Sequence, residues 1–505
     1  MMAEWNRGVV GRSRGLACAA LLALGMTGCG GGSDSGGSPS PAQPNSAPTF
    51  TSSGQASVAE NTTDPVYRPA ATDAQHDTVT YSIAGGADAA FFAFGAGGEL
   101  SFRQPPNYDL YADGNGDNVY EVTLSASDGK ASTNQTVSIT VTNDREGIAV
   151  KRIATGLGVT RAIASLEDTH QLVVAGNGSV VYRINGATGE RSTFHMFTDA
   201  SGRSVDGMTV LGLAWAYTFG PNKSLYVLKE KGGMASIACI RCGVSLYNDT
   251  VVEADIASVA DGTAIAMGLY SGSVFVAVGD KAGARAQDSG AAAGPYGKLY
   301  NYPLDPDPFN SAPNRVTPHY FDVRLVGLGL HAPVSFGTLD QNAFMIADQG
   351  EAFGELSARD LRFDGMNFGW PYFDGTQERN AGGAALANLV TPSLVLPSGA
   401  NRRESQGIVG ALVYRGRLTG LASSYVLADR NGHVWTAPWS MPTGPSNVRI
   451  DASRLEVRDA DFIPDAGTID SPVGMVLDAA GDLYILDSDG ELFRVDAPGP
   501  YTIST

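Results

Sequence analysis

Short runs of alternating apolar and polar residues, bounded by Gly, Asn, Asp or Pro, recur along the chain from about residue 48 to residue 500. A period of two puts successive side chains on opposite faces of a strand, and the flanking turn-formers send the chain back antiparallel. Residues 78–83, 99–102, 118–127 and 135–142 follow this pattern. With shorter runs between them they predict roughly seven strands over 48–145, the strand density of a β-sandwich.

Beyond residue 147 the pattern becomes a repeat: a short apolar strand, a turn and a second strand. It occurs at 171–184, 223–239, 273–280 with 298–304, 343–350, 424–437 and 482–495. No stretch carries helical periodicity. Repetition of small sheets without helices predicts radial closure into a six-bladed β-propeller over 147–500, with two packed sandwiches as the competing architecture. Tyr182, Tyr226, Phe275, Trp435 and Tyr484 fall at matched points of the repeat and are expected to wedge between blades. The fold class is therefore all-β, a small sandwich followed by a propeller.

Composition agrees with many tight turns: 63 glycines against 34 lysines and arginines in 505 residues, with 43% hydrophobic residues. A formal charge of -18 and no visible basic cluster argue against nucleic acid as a partner. Ahead of the strands, Arg7, Arg12 and Arg14 precede an apolar run from Leu16 to Met26, and Met26-Thr27-Gly28-Cys29 resembles a bacterial lipoprotein box. Residues 1–28 then read as a signal peptide, with an ordinary secretory signal as the alternative. Cys29 would carry the lipid, and 29–47, rich in Gly, Ser and Pro, would be a flexible linker. The implied location is the bacterial cell envelope, lipid-anchored and periplasmic or outer-membrane facing. Cys239 and Cys242 remain as the thiols of the mature chain, and a local disulfide pinning a turn is expected in an oxidising compartment.

Residues 46–144 hold twelve Asp or Glu against three Lys or Arg. Carboxylates crowded at strand ends repel one another unless a hard cation neutralises them, and Ca2+ takes six to eight oxygens from such groups. Candidate ligands are Glu60, Asp73, Asp109, Asp113, Asp117, Asp128 and Asp144, the densest set being Asp113, Asn115 and Asp117. A solvated acidic turn is the alternative there. The elements Val58-Ala59-Glu60-Asn61, Asn107-Tyr108-Asp109, Ser127-Asp128-Gly129 and Asn143-Asp144 make this unit resemble a cadherin-like domain of bacterial type.

The second unit also carries a resemblance. Leu211-Gly212-Leu213-Ala214-Trp215, Val278-Gly279-Asp280, Gly297-Lys298-Leu299, Gly329-Leu330, Asn367-Phe368-Gly369-Trp370-Pro371 and the run from Gly410 to Gly416 make 150–497 similar to the soluble quinoprotein sugar dehydrogenases, the glucose/sorbosone dehydrogenase family. That resemblance implies pyrroloquinoline quinone at the top of the channel, a structural Ca2+ and oxidation of aldoses. Such chemistry needs a base for the sugar hydroxyl proton and fixed cations for a tricarboxylated cofactor.

The matching positions do not hold those groups. Asp261 stands where the family's histidine is expected, and a carboxylate is a weaker base than imidazole by about 2.5 pKa units. His331-Ala332 replaces the family's Arg-Asn. His331 could serve as base in place of Asp261, and Arg402, Arg403 or Arg415 could neutralise an anion. Asp280, and Asp348 with Glu355, are the candidate calcium ligands of the propeller. The residues thus point to an envelope lipoprotein with a calcium-binding sandwich and a propeller that binds a carbohydrate or surface protein without the usual catalytic set. A quinone-dependent sugar or alcohol dehydrogenase with relocated groups is the alternative, and a wholly structural lipoprotein a third reading.

Overall fold

The computed structural model describes residues 43–166, 170–217, 223–242, 252–270, 273–290, 294–303, 323–340, 343–359, 365–439 and 449–498. The signal, Cys29 and most of the linker lie outside the described residues. No helix among the described residues is long and apolar enough to cross a membrane.

The N-terminal unit has a four-stranded sheet in which Gln55–Ala59 runs parallel to Ser132–Thr142, followed by Val119–Ser127 and Thr80–Gly85. Two two-stranded sheets, Thr49–Phe50 with Ala71–Thr72 and Phe92–Phe94 with Leu100–Phe102, complete it. Alternation in Val119–Ser127 turns Tyr120, Val122, Leu124 and Ala126 inward, all buried. Phe91 and Phe102 meet the Tyr120 ring edge-on, with centroids 5.2 and 5.0 Å away.

The rest of the chain forms six sheets around one axis, as the repeat predicted. Their innermost strands are Ile163–Ser165, Met208–Tyr217, Ile265–Tyr270, Pro333–Asp340, Ile408–Tyr414 and Pro472–Leu477, and each touches the next until the sixth meets the first. Four sheets are built from successive strands, the third blade adding the parallel strand Met366–Asn367 at its edge, and the fourth takes its outer strand, Leu394–Pro397, only after that excursion. The sixth closes the ring: its outermost strand, Ala149–Ala154, comes from the start of the propeller and pairs with Leu492–Asp496. Six apolar clusters lie one between each pair of blades, with Trp435 in the fourth-to-fifth, Phe275 in the third-to-fourth and Tyr484 in the sixth-to-first.

Glycines on the inner strands set how closely blades approach. A Cβ on Gly268 would stand 2.2 Å from the carbonyl oxygen of Phe336 in the next blade, and one on Gly410 would stand 2.9 Å from Met475 Cβ. At Gly337 the nearest atom is the flexible end of Met345, 3.6 Å away. Gly268→Ala should therefore lower unfolding stability by about 1–3 kcal/mol through overpacking, whereas Gly337→Ala should be close to neutral. Urea unfolding of the two variants checks the contrast.

Candidate functional site

A propeller blade offers two kinds of turn. Turns from the second to the third strand, and the entries to the inner strands, gather at one end of the channel, here called the upper end. Turns from the first to the second strand gather at the other. The inner strands enclose a cavity of about 420 Å3 lined by small and apolar residues such as Ala164, Gly268, Val413 and Met475, with Arg161 at its upper rim.

His331 enters the inner strand of the fourth blade from the upper end and is buried. Its backbone N–H donates to Asp348 Oδ2 at 2.8 Å, and that of Ala332 donates to Asp348 Oδ1 at 2.6 Å. Its ring Nδ1 lies 2.5 Å from the carbonyl oxygen of Gln349. A carbonyl only accepts, so Nδ1 is the donor in this contact, and in the neutral ring Nε2 keeps its lone pair. Trp370 meets the ring edge-on at 4.2 Å, and its indole N–H donates to the Asp280 carbonyl at 2.8 Å. The side-chain amides of Asn367 and Gln287 bond each other in both directions, and Gln287 Nε2 also donates to the Trp370 carbonyl at 2.7 Å. A Cβ on Gly279 would lie 2.4 Å from the His331 carbonyl oxygen, so only glycine allows this approach. Asn367-Phe368-Gly369-Trp370-Pro371 is thus a brace tying the third blade to His331.

Asp348 and Glu355 face each other across adjacent strands. Asp374 joins them from beyond the fourth blade; its Oδ2 accepts from the N–H groups of Glu351 and Ala352, and its buried Oδ1 has no hydrogen-bond partner. Burial pushes the Asp348 carboxyl up to about 6, partly opposed by His331. Glu355 is pushed well above the usual range by burial and then by Asp348 and Asp374. Sequence reasoning did not single out Asp374, whose role depends on a turn returning to the blade. Asp280 stands apart, its Oδ2 accepting the Arg285 N–H at 2.6 Å.

Other expected site residues are placed elsewhere. Asp261 does lie at the upper end, but it is exposed and closes its own turn, accepting from Thr263 Oγ1 at 2.5 Å and Thr263 N at 3.0 Å. Those bonds hold its pKa below the ordinary value, making it a weaker base than a free aspartate. Arg402 and Arg403 turn away from the channel: Arg402 stacks over the Tyr111 ring at 3.9 Å, and Arg403 Nη2 donates to the Leu110 carbonyl at 2.7 Å. Arg415 is at the lower end, over Trp439. The upper rim holds Arg161 and Arg430 instead; burial lowers the Arg430 pKa, its neighbour Asp429 raises it, and Arg161 is close enough to lower it further. Neither belongs to a recognisable run, so only the ring's geometry could have revealed them.

The acidic residues of the N-terminal unit fall into separate turns. Asp113 accepts from the N–H groups of Asp117 and Asn118, Asp73 Oδ1 from those of Gln75 and Asp77, and Asp117 from that of Val119. Asp128 accepts from Lys130 N, Ala131 N and Asn45 Nδ2, which draw its pKa down to about 2. Glu60 accepts from the N–H groups of Tyr108 and Asp144, and Asp109 pairs with Arg458 of the fifth blade. Cys239 and Cys242 lie three apart on the continuous strand Met234–Cys242 rather than across the expected turn, and their side chains lie outside the described residues.

One set among the described residues has metal-ligand spacing, and sequence reasoning missed it: His170, Asp478 and Asp482, at the lower end. His170 Nδ1 lies 2.9 Å from Asp478 Oδ2 and 3.3 Å from Asp482 Oδ2. Tyr484 Oη donates to Asp478, and Arg417 pairs with Asp482. These donors make it a latch between the first and sixth blades, whose sequence signal was the turn Asp478-Ala479-Ala480-Gly481-Asp482.

No family model and no curated protein matches the sequence. Solved structures do resemble the propeller. The PQQ-bound aldose sugar dehydrogenase of Streptomyces coelicolor shares 16% identity over 70% of this chain and 98% of its own, with a TM-score of 0.48. The soluble aldose sugar dehydrogenase of Escherichia coli in its apo form shares 16% over 69% and 99%, with a TM-score of 0.46. The calcium structure of a Trichoderma reesei family AA12 carbohydrate-active enzyme shares 16% over 70% and 96%, with a TM-score of 0.47. Likeness at this level carries nothing about activity, and the six-bladed ring rests on its own sheets and contacts.

Asp348 and Glu355 make stability depend on pH. Their folded pKa values lie above the unfolded ones, so the folded chain holds extra protons; the stability this contributes is complete below the ordinary carboxylate pKa and is lost as pH rises through about 6. In metal-free buffer the propeller's melting temperature should fall from mildly acidic to neutral pH. Glu355→Gln should flatten that slope in a calorimetric pH series.

Proposed function

We propose that this chain is a lipid-anchored protein of the bacterial envelope whose propeller binds a ligand at its upper end and does not oxidise it. The observation that carries this reading is Asp261: the residue at the expected base position is exposed and acidified by its own turn. The residues present also do not fit pyrroloquinoline quinone as the resemblance implies. Among the described residues lining the channel there is one arginine and no histidine, and the three arginines expected to grip a tricarboxylate point elsewhere. No reaction step is therefore assigned through the quinone.

Arg161 and Arg430 at the rim favour an anionic ligand, and in an envelope protein an acidic saccharide suits them. Burial and mutual repulsion raise the pKa values of Asp348 and Glu355, and Asp374 Oδ1 is buried without a partner, yet the three carboxylates do not share the spacing of a single-ion site.

A second reading, quinone-dependent oxidation of a sugar hydroxyl, is favoured by one feature. His331 donates through Nδ1, and in the neutral ring Nε2 is available to take a proton. Purified protein incubated with pyrroloquinoline quinone and Ca2+ should fail to reduce a dye across a panel of aldoses; turnover at enzymatic rates would replace the binding reading with this one. Uronate-containing oligosaccharides should bind more tightly than neutral ones, by roughly tenfold, and Arg430→Ala should abolish the difference, as read by calorimetric titration.

A further inference from the structure

Glu60, Asp109 and Asp144 are three of the candidate calcium ligands read from the N-terminal unit's sequence. The structure gathers those segments at the junction with the fifth blade and places a different cation among them. Arg458 follows the outer strand Glu456–Val457, and its side chain is 1% exposed. Its Nη1 lies 2.8 Å from Asp109 Oδ2 and 2.8 Å from Glu146 Oε2, while Nε lies 2.7 Å from Asp461 Oδ2 and Glu456 Oε2 is 3.7 Å away. The Asp461 contact lacks hydrogen-bond geometry, so charge rather than direction holds it.

The amide-bearing neighbours of the same segments extend the contact. Asn61 Nδ2 donates to Glu146 Oε1 at 2.8 Å, Asn107 Nδ2 to Glu456 Oε1 at 2.9 Å, and Asn143 Nδ2 to Asp461 Oδ1 at 2.8 Å. Arg145 reaches the carbonyls of Asp461 and Ile463. Glu60, the remaining carboxylate, is occupied by two backbone N–H groups. Asp144 contributes its N–H here, and its residue is exposed.

We propose that Arg458 takes the cation's place in this acidic cradle, so that the N-terminal unit is docked on the propeller as a calcium-independent arm. Two observations favour the guanidinium over an ion. Its nitrogens fill the space between Asp109, Glu146 and Asp461, and among the described residues no three acidic groups of the junction come within the reach of one metal. Burial raises the pKa values of Asp109 and Asp461, and for both the strongest opposing cause is the Arg458 guanidinium. The arm then keeps the N-terminal unit in one orientation on the propeller whatever the calcium concentration.

The test is amide hydrogen exchange on the full mature chain, read by mass spectrometry over 107–111, 143–148 and 456–463, in excess EGTA and in millimolar Ca2+. The wild type should show equal protection of these segments in both conditions. Arg458→Gln should exchange them at least roughly tenfold faster in EGTA, with the inner strands unchanged. Should that variant fail to fold, Asp109→Asn takes its place with the same expected loosening. Junction protection in the wild type that falls on adding EGTA overturns the proposal. So does an Arg458→Gln protein as protected as the wild type, or the loss of one bound Ca2+ on Asp109→Asn in equilibrium dialysis. None of these outcomes depends on what the channel binds.

Discussion

The antiparallel ladder between Ala149–Ala154 and Leu492–Asp496 is the constraint on which the propeller depends. Without it the sixth sheet lacks its outer strand, and the sixth-to-first cluster around Tyr484 and Leu172 loses the frame that brings it together. With it, six inner strands enclose one channel, and every residue near an inner-strand entry or a second-to-third-strand turn is delivered to one end. His331, Asp348, Asp261, Arg161 and Arg430 meet there through topology rather than through sequence proximity. Close approach finishes the ring: glycine on one inner strand lets the next strand lie against it, as Gly268 does for Phe336 and Gly474 for Ile163.

Much of this architecture was legible in the sequence because a propeller repeats. Strand pairs at similar spacing, with aromatic residues at matched points, carry a count of six without any tertiary information. The closing strand was not legible as such, since nothing in 149–154 says which sheet, far along the chain, it will join. The site was read with more difficulty for the same reason. Asp348 and Glu355 sit in one hairpin and could be paired from the sequence; Asp374 reaches them across a separate turn. Arg402 and Arg403 look like channel cations in isolation, yet the loop before the fifth inner strand turns outward, where Tyr111 and the Leu110 carbonyl meet them. Spacing singled out Asp261, which lies at the upper end, but could not say that Thr263 would satisfy its carboxylate.

The run Asn367-Phe368-Gly369-Trp370-Pro371 has a packing role around His331. Asn367 and Trp370 bond Gln287 and Asp280, and the indole covers the imidazole. Each contact fixes the relative position of the third and fourth blades, and none requires a reacting group in the channel. The same holds for the acidic segments of the N-terminal unit. Their residues remain together, but the partner that balances them comes from another part of the chain, which no reading of 48–145 alone could supply.

The order in which the chain leaves the ribosome gives the closing ladder a further meaning. Ala149–Ala154 emerges first among the propeller strands and must wait until nearly the whole remaining length has been made before its partner exists. During that interval its edge is an open template for pairing with other chains. A product lacking Leu492–Asp496 would keep five complete blades and carry that open edge permanently.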